Sequence, residues 1–231
     1  MGKDDLSPRA AKGGVVAAKR KILIVEDHPT MREGLRSIIN REPDLIVCHE
    51  TDDGCEAMEI IQNTPPDLVL MDITLPKRNG LEFVKDFKAL SPALAILAIS
   101  MHDESLYAER MLRAGAMGYI SKHEPPDELL KAIRQVLAGN IYVNRTIYET
   151  VLKRLVKDPL KTRPPAEVLT DREFEVFQLL GEGKSAKEIA HQLSMSVLTV
   201  AVHNSNIRQK LKVKNSSQLI RLAVQMNGLP L

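Results

Sequence analysis

Along residues 21–142 the hydrophobic pattern switches regularly between two periods. Nearly continuous apolar runs occupy 21–26 (KILIVE), 45–49 (LIVCH), 67–71 (DLVLM), 94–100 (LAILAIS) and 117–121 (MGYIS), and their length and apolar content suit strands. Between and after them, stretches near 30–41, 54–63, 80–90, 104–114 and 125–138 carry apolar residues every three or four positions, as amphipathic helices do. Parallel neighbouring strands need a crossover connection, so five such repeats predict an α/β doubly wound five-stranded parallel sheet with helices on both faces. Strands covered on both faces lack polar alternation, and these runs lack it.

A further helical pattern runs through Ile147, Val151, Leu152 and Leu155 and meets Asp158-Pro159. The following KTRPPAE segment places Pro164 and Pro165 where no helix can continue, so a semi-extended tether is expected there. Beyond it the strand signal disappears and four short helices are expected. Thr170-Asp171-Arg172-Glu173 and Ser185-Ala186-Lys187-Glu188 are capping boxes, Ser196 is a third cap, and Ser216 or Ser217 is expected to open the last helix. The chain thus divides into a leader at 1–20, a βα domain at 21–142, a linker with a helix at 143–166 and an all-α four-helix domain at 167–231.

Composition narrows the class. The chain is 44% hydrophobic and 27% charged, as a globular protein is. No apolar run approaches the ~20 residues of a membrane helix, so no membrane partner is expected. The leader's apolar stretch, 15–18, is too short for a signal-peptide core, so 1–20 reads as disordered and the protein as cytoplasmic. Cys48 and Cys55 are expected to be reduced there. The net charge of +2 hides an asymmetry: after Glu188 come Arg208, Lys210, Lys212, Lys214 and Arg221 with no acid among them. A basic, acid-free end points towards a polyanionic partner, although a solvated helix face has the same composition.

Ligands of doubly wound sheets gather beyond the carboxyl ends of the strands. The first expected strand ends in Glu26-Asp27, the third leads to Asp72, the fourth to Ser100 and the fifth to Lys122. Carboxylates gathered from separate segments repel, and a divalent cation that prefers oxygen ligands, Mg²⁺, relieves that cost. A carboxylate can act as a nucleophile towards a phosphoryl group, a lysine ammonium neutralises the transferring oxygens, and a serine hydroxyl donates to them. Taken singly, each residue has a plainer role as cap, turn former, packing residue or solvated charge; their coincidence at the strand ends carries the argument.

The stretches LIVEDHP, DLVLMDITLPKRNGLEF, ILAIS and GYISK resemble the receiver domain of two-component response regulators, a flavodoxin-like fold, over roughly 120 residues. The resemblance implies that Asp72 is phosphorylated by a cognate histidine kinase. It also implies that Glu26, Asp27, Asp72 and the carbonyl of Thr74 hold Mg²⁺, that Ser100 and Tyr119 form a switch pair, and that Lys122 binds the phosphoryl group. Thr74 and His102 occupy positions that influence how fast the group is lost. Glu26 stands where many relatives have Asp.

The segment LTDREFEVFQLLGEGKSAKEIAHQLSMSVLTVAVHNSNIRQKL resembles the LuxR-type helix-turn-helix of the NarL/FixJ regulators. The resemblance implies a recognition helix at 197–211 in the major groove of promoter DNA, with Thr199, Val202, His203, Asn206, Arg208, Lys210 and Lys212 as contacts and the lysines mostly on phosphates. Relatives commonly read Thr-Val-Lys-x-His, whereas this chain has Ala201 at the lysine; Ala186 and Asn215-Ser216-Ser217 also depart from the common pattern. The expected device is a phosphorylation switch rather than an enzyme. Whether the receiver covers the recognition helix at rest is left open, and activation is expected to form a homodimer through the last helix (Leu219, Ile220, Val224). Two rivals remain: a phosphatase, against which Ile73-Thr74 breaks the Asp-x-Asp pattern, and a helix-turn-helix that recruits a protein instead of DNA.

Overall fold

The computed structural model describes residues 18–75, 78, 80–101, 105–149 and 168–226. Residues 1–17, His102, the double-proline tether, and Val151, Leu152 and Leu155 of the expected linker helix lie outside them.

The βα region contains β1 (Arg20–Val25), α1 (Pro29–Asn40), β2 (Leu45–Thr51), α2 (Gly54–Asn63), β3 (Leu68–Asp72), α3 (Gly80–Leu90), β4 (Ala95–Ser100), α4 (Ser105–Ala114), β5 (Gly118–Ser121) and α5 (Pro126–Leu137). All strand pairs are parallel, in the order β2-β1-β3-β4-β5, so the topology switches beside β1, which pairs with both β2 and β3. The pleat sorts alternate residues to opposite faces. Leu23, Val25, Val69 and Met71 face α2, α3 and α4, where Phe83, Phe87 and Met111 pack on them. Ile22, Ile24, Leu68 and Leu70 face α1 and α5, meeting Leu35, Ile39 and Ile133. Most expected boundaries shift by a residue or two, and β2 runs on to Thr51.

One strand-like contact had no sequence signal. Beyond α5, Tyr142 forms an isolated parallel bridge with Gly118; Tyr119 N–H donates to Tyr142 O at 2.9 Å, and Tyr142 N–H to Met117 O at 3.0 Å. Residues 145–149 are then helical, with Ile147 buried against the α2–α4 core.

The C-terminal region contains α6 (Asp171–Gly181), α7 (Ala186–Gln192), α8 (Val197–Leu211) and α9 (Ser216–Met226), wrapped round a core of Phe174, Phe177, Ile189, Val200, Ile207 and Leu219. Both capping boxes form, and Ser196 caps α8 by accepting from Thr199 N–H at 3.0 Å. The last cap differs: Asn215 Oδ1 accepts from Gln218 N–H at 2.9 Å, so Asn215, not Ser216 or Ser217, serves α9. Leu219 is 1% exposed and belongs to the core, which removes it from the expected dimer surface; Ile220 is exposed. No helix among the described residues is long and apolar enough to cross a membrane.

Candidate functional site

Because β1 and β3 are neighbours in register, Val25 opposite Met71, the residues that follow them meet at the switch point. Glu26 and Asp72 are both fully buried, and Asp27 is half-buried. Lys122, held by its N–H on Ser100 O, brings its ammonium to 2.9 Å from Asp72 Oδ2 and 2.7 Å from Glu26 Oε2, with 3% of the side chain exposed. Thr74 N–H donates to Asp72 Oδ1 at 3.0 Å and fixes that carboxylate's orientation. Gly80 makes room: a Cβ there would lie 2.7 Å from the Asp72 carbonyl oxygen and from Ile73 Cα. The site therefore needs glycine at the start of α3.

The electrostatics follow from burial. Loss of water raises the Asp72 pKa, Lys122 opposes this, and Glu26 adds to it, leaving the carboxyl above its ordinary range. Burial pulls Lys122 down, but Asp72 and Glu26 together outweigh it and its ammonium ends up held more firmly than usual. One oxygen or nitrogen from each of Glu26, Asp27, His28 and Asp72 falls within a 4.8 Å cluster. Glu26 Oε2 pairs with the Lys122 ammonium at 2.7 Å and Asp27 Oδ1 lies 2.7 Å from His28 Nδ1. The three carboxylates of Glu26, Asp27 and Asp72 make an oxygen-rich set that fits a hard divalent cation.

His28 escaped the reading of the sequence; its Nδ1 lies 2.7 Å from Asp27 Oδ1 and 3.2 Å from Glu26 Oε1. The available signal was its place directly after two acids that follow a strand. Ser100 is buried at the end of β4, and Tyr119 is fully buried in the α2–α4 core, so the ring already occupies an inward position.

The helical region meets the receiver-like region through α6. Asp171 receives Arg110 at 2.8 Å and Lys85 at 2.6 Å, and Arg110 Nη2 donates to Leu169 O at 3.0 Å. The Arg110 guanidinium lies 4.3 Å above the Phe174 ring, and Tyr107 meets that ring edge-on at 4.9 Å. Beside this contact lies a cleft of about 270 Å³ lined by Asp27, His28 and Thr74 on one side and Glu175, Gln178 and Glu182 on the other. Burial pushes the Glu175 carboxyl up to about 7 despite the Arg172 guanidinium 2.8 Å away.

A carboxyl with a raised folded-state pKa holds its proton more tightly in the fold than in the unfolded chain. Its contribution is therefore full below about pH 4.3 and is lost as pH rises through 7. Glu175→Gln is expected to flatten that dependence. It should raise stability at pH 8 by about 2 kcal/mol, less than the shift alone would give because Arg172 loses its anion. Thermal unfolding from pH 5 to 8 checks this; parallel curves for both proteins would contradict it.

Among the described residues the outward side of α8 is uncovered: Leu198 is 75% and Val202 52% exposed. Thr199 and Asn206 are exposed as well, and so is Lys212, which caps α8 with φ of 55°. Three expected DNA contacts are differently engaged. Lys210 pairs with Glu173 at 2.6 Å, tying α8 to the capping box of α6. His203 and Arg208 are half-buried, and burial lowers the His203 pKa, which favours the uncharged ring.

Comparison with known proteins gives a consistent result. Residues 22–134 match the family model "Response regulator receiver domain", and residues 167–223 match "Bacterial regulatory proteins, luxR family". The transcriptional regulatory protein DegU of Brevibacillus brevis is 35% identical over 216 residues, covering 87% of this chain and 92% of that protein. The oxygen regulatory protein NreC of Staphylococcus carnosus (strain TM300) is 33% identical over 210 residues, with 89% and 97% covered. A LuxR-family two-component response regulator from Aurantimonas sp. SI85-9A1 superposes with TM-score 0.57 at 37% identity, over 60% of this chain and 99% of that one. RcsB of Salmonella enterica serovar Typhimurium, bound to the promoter rprA with the phosphomimetic BeF3-, shares the fold with TM-score 0.62 at 22% identity, over 89% and 98%.

Proposed function

The chain belongs to the two-component response regulators that join a receiver to a LuxR-type DNA-binding domain, and on that premise we propose that Asp72 is the phosphoacceptor that gates promoter binding. The observation that carries the assignment is the buried Asp72 carboxylate, held by Lys122 beside Glu26 and Asp27 at the switch point of the sheet. In this reading the receiver spans 21–142, the linker 143–166 and the DNA-binding domain 167–231.

An Asp72 Oδ attacks the phosphorus of a cognate histidine kinase's phosphohistidine; an O–P bond forms, the N–P bond breaks, and the imidazole leaves with its electron pair. Lys122 neutralises oxygens of the transferred group, and the Ser100 hydroxyl donates to one of them. Glu26, Asp27, Asp72 and the Thr74 carbonyl would hold Mg²⁺, which supplies charge neutralisation at the phosphoryl oxygens when bound. His28 orients Asp27. The protein acts as a cytoplasmic switch rather than a turnover catalyst, and activation pairs two copies so that two α8 helices meet two half-sites. The alternative of a protein-recruiting helix-turn-helix gains support from Ala201 and the exposed Leu198, and the same experiment distinguishes it.

Fluorescence anisotropy with candidate promoter duplexes at fixed salt, with and without Mg²⁺ plus beryllofluoride, tests the assignment. Binding should tighten at least tenfold with the phosphoryl mimic, and Asp72→Asn should erase the gain. Equal affinity in all four conditions would remove Asp72 from the mechanism.

A further inference from the structure

One outward stripe of α8 is uncharged. Leu198, Ala201, Val202, Ser205 and Gln209 recur at helical spacing, all of them exposed, while Val200 and Ile207 face the core. Leu198 at 75% and Val202 at 52% exposure, flanked by Val197 at 46%, leave an apolar surface that no described residue covers. Isolated exposed hydrophobic residues are ordinary, but three on the first two turns of one helix call for an occupant.

Charge around the patch identifies that occupant. Lys187, Lys212, Lys214 and Arg221 are exposed in the same domain, and no acid follows Glu188 in the sequence. A basic surface in the same domain as an apolar helix face suits a polyanion that carries apolar groups in a groove wide enough for a helix. Duplex DNA meets that description in its major groove, where the C5-methyl of thymine is the one apolar group on a base edge. Guanine is read there by bidentate Arg or Lys, and the exposed stripe of α8 contains neither.

We infer that this chain selects its operator through thymine methyl groups packed against Leu198 and Val202, with affinity supplied by the exposed lysines and arginine of the same domain. The inference rests on the DNA-binding reading above and adds what the helix reads. Ala201 belongs to the device: a short side chain between Leu198 and Val202 lets the helix approach the bases closely enough for methyl contact. Asn206, exposed at the edge of the stripe, is placed to read adenine.

The test uses the full-length protein with Mg²⁺ and beryllofluoride. Preferred sites are first selected from a random duplex pool, then resynthesised with deoxyuridine for thymidine one position at a time, which removes the methyl alone. At two or more positions in each half-site the affinity should fall about fourfold, the yield of burying one methyl group. Leu198→Ala and Val202→Ala, both at exposed positions and checked for unchanged thermal unfolding, should each make one of those positions insensitive to the methyl. Selection of guanine at the helix-facing positions, or tolerance of deoxyuridine throughout, overturns the inference while leaving DNA binding intact. Binding without sequence preference does the same. Failure of the folded protein to bind any duplex overturns the DNA-binding reading as well and points to a protein partner for the same patch.

Discussion

Replacing Lys122 by alanine is expected to destabilise the receiver by about 3–5 kcal/mol at neutral pH and to abolish the response to beryllofluoride. The ammonium is the counter-charge within 3 Å of two carboxylates that are fully buried, Glu26 and Asp72. Removing it leaves both anions in a medium that solvates them poorly, and the loss exceeds what the ion pairs contribute net, because their desolvation is no longer offset. The sign with pH follows. Burial already lifts the Asp72 carboxyl, and deletion of the lysine removes what opposes the lift. The variant's deficit should therefore shrink as pH falls towards the ordinary carboxylate range and the carboxyls take up protons in the fold. Added Mg²⁺ should recover part of the loss by mass action on the same oxygens. Urea unfolding of both proteins at pH 5.5 and 7.5, with and without Mg²⁺, separates these effects. A deficit below 1 kcal/mol, constant with pH, would mean that the lysine is not the counter-ion of this site.

Phe174→Ala should have an effect of similar size in the other domain and a second effect across the boundary. The ring is 1% exposed in the α6–α9 core, and truncating a buried phenylalanine costs about 3–5 kcal/mol. The same ring also forms the platform for Tyr107 and Arg110 of α4. Its loss should loosen the contact between receiver and helical domain even in molecules that stay folded. Arg110→Ala distinguishes the two consequences, since its side chain touches Asp171, Leu169 and the ring face but contributes little to the helical core. Unfolding of the helical domain, followed by hydrogen exchange, should be strongly affected by Phe174→Ala and hardly by Arg110→Ala. Protease sensitivity of residues 143–166 should rise in both. An equal response of the helical domain to the two variants would contradict this division.

The sequence made the elements legible because each carries its own period, and it made the acidic site legible because strand ends converge in a doubly wound sheet. Glu26, Asp27, Asp72, Ser100 and Lys122 each close or follow a strand, so their positions could be read without coordinates. What escaped depends on contacts between elements far apart in the chain. Glu175 sits on α6 where a surface residue is expected, and its burial shows only once that helix is packed. Lys210 looks like a phosphate-binding lysine from its basic neighbours; its partner, Glu173, lies 37 residues earlier. The shift of the last cap from Ser216 to Asn215 is a choice between adjacent residues that can all accept from a helix N-terminus, and side-chain geometry decides it. Leu219, read as a dimer contact, turned inward because α9 packs on α6 through it and Ala223.

The single rung between Gly118 and Tyr142 has a mechanical meaning. Tyr119, the expected switch residue, is tied by its own backbone amide to the carbonyl of the residue that precedes the linker. A displacement of β5 at Tyr119 is thus felt at residue 142 through a hydrogen bond, in the way a pulled thread moves the hem it is sewn to. The coupling runs through the main chain, so it does not depend on any side chain of the contact between the two domains.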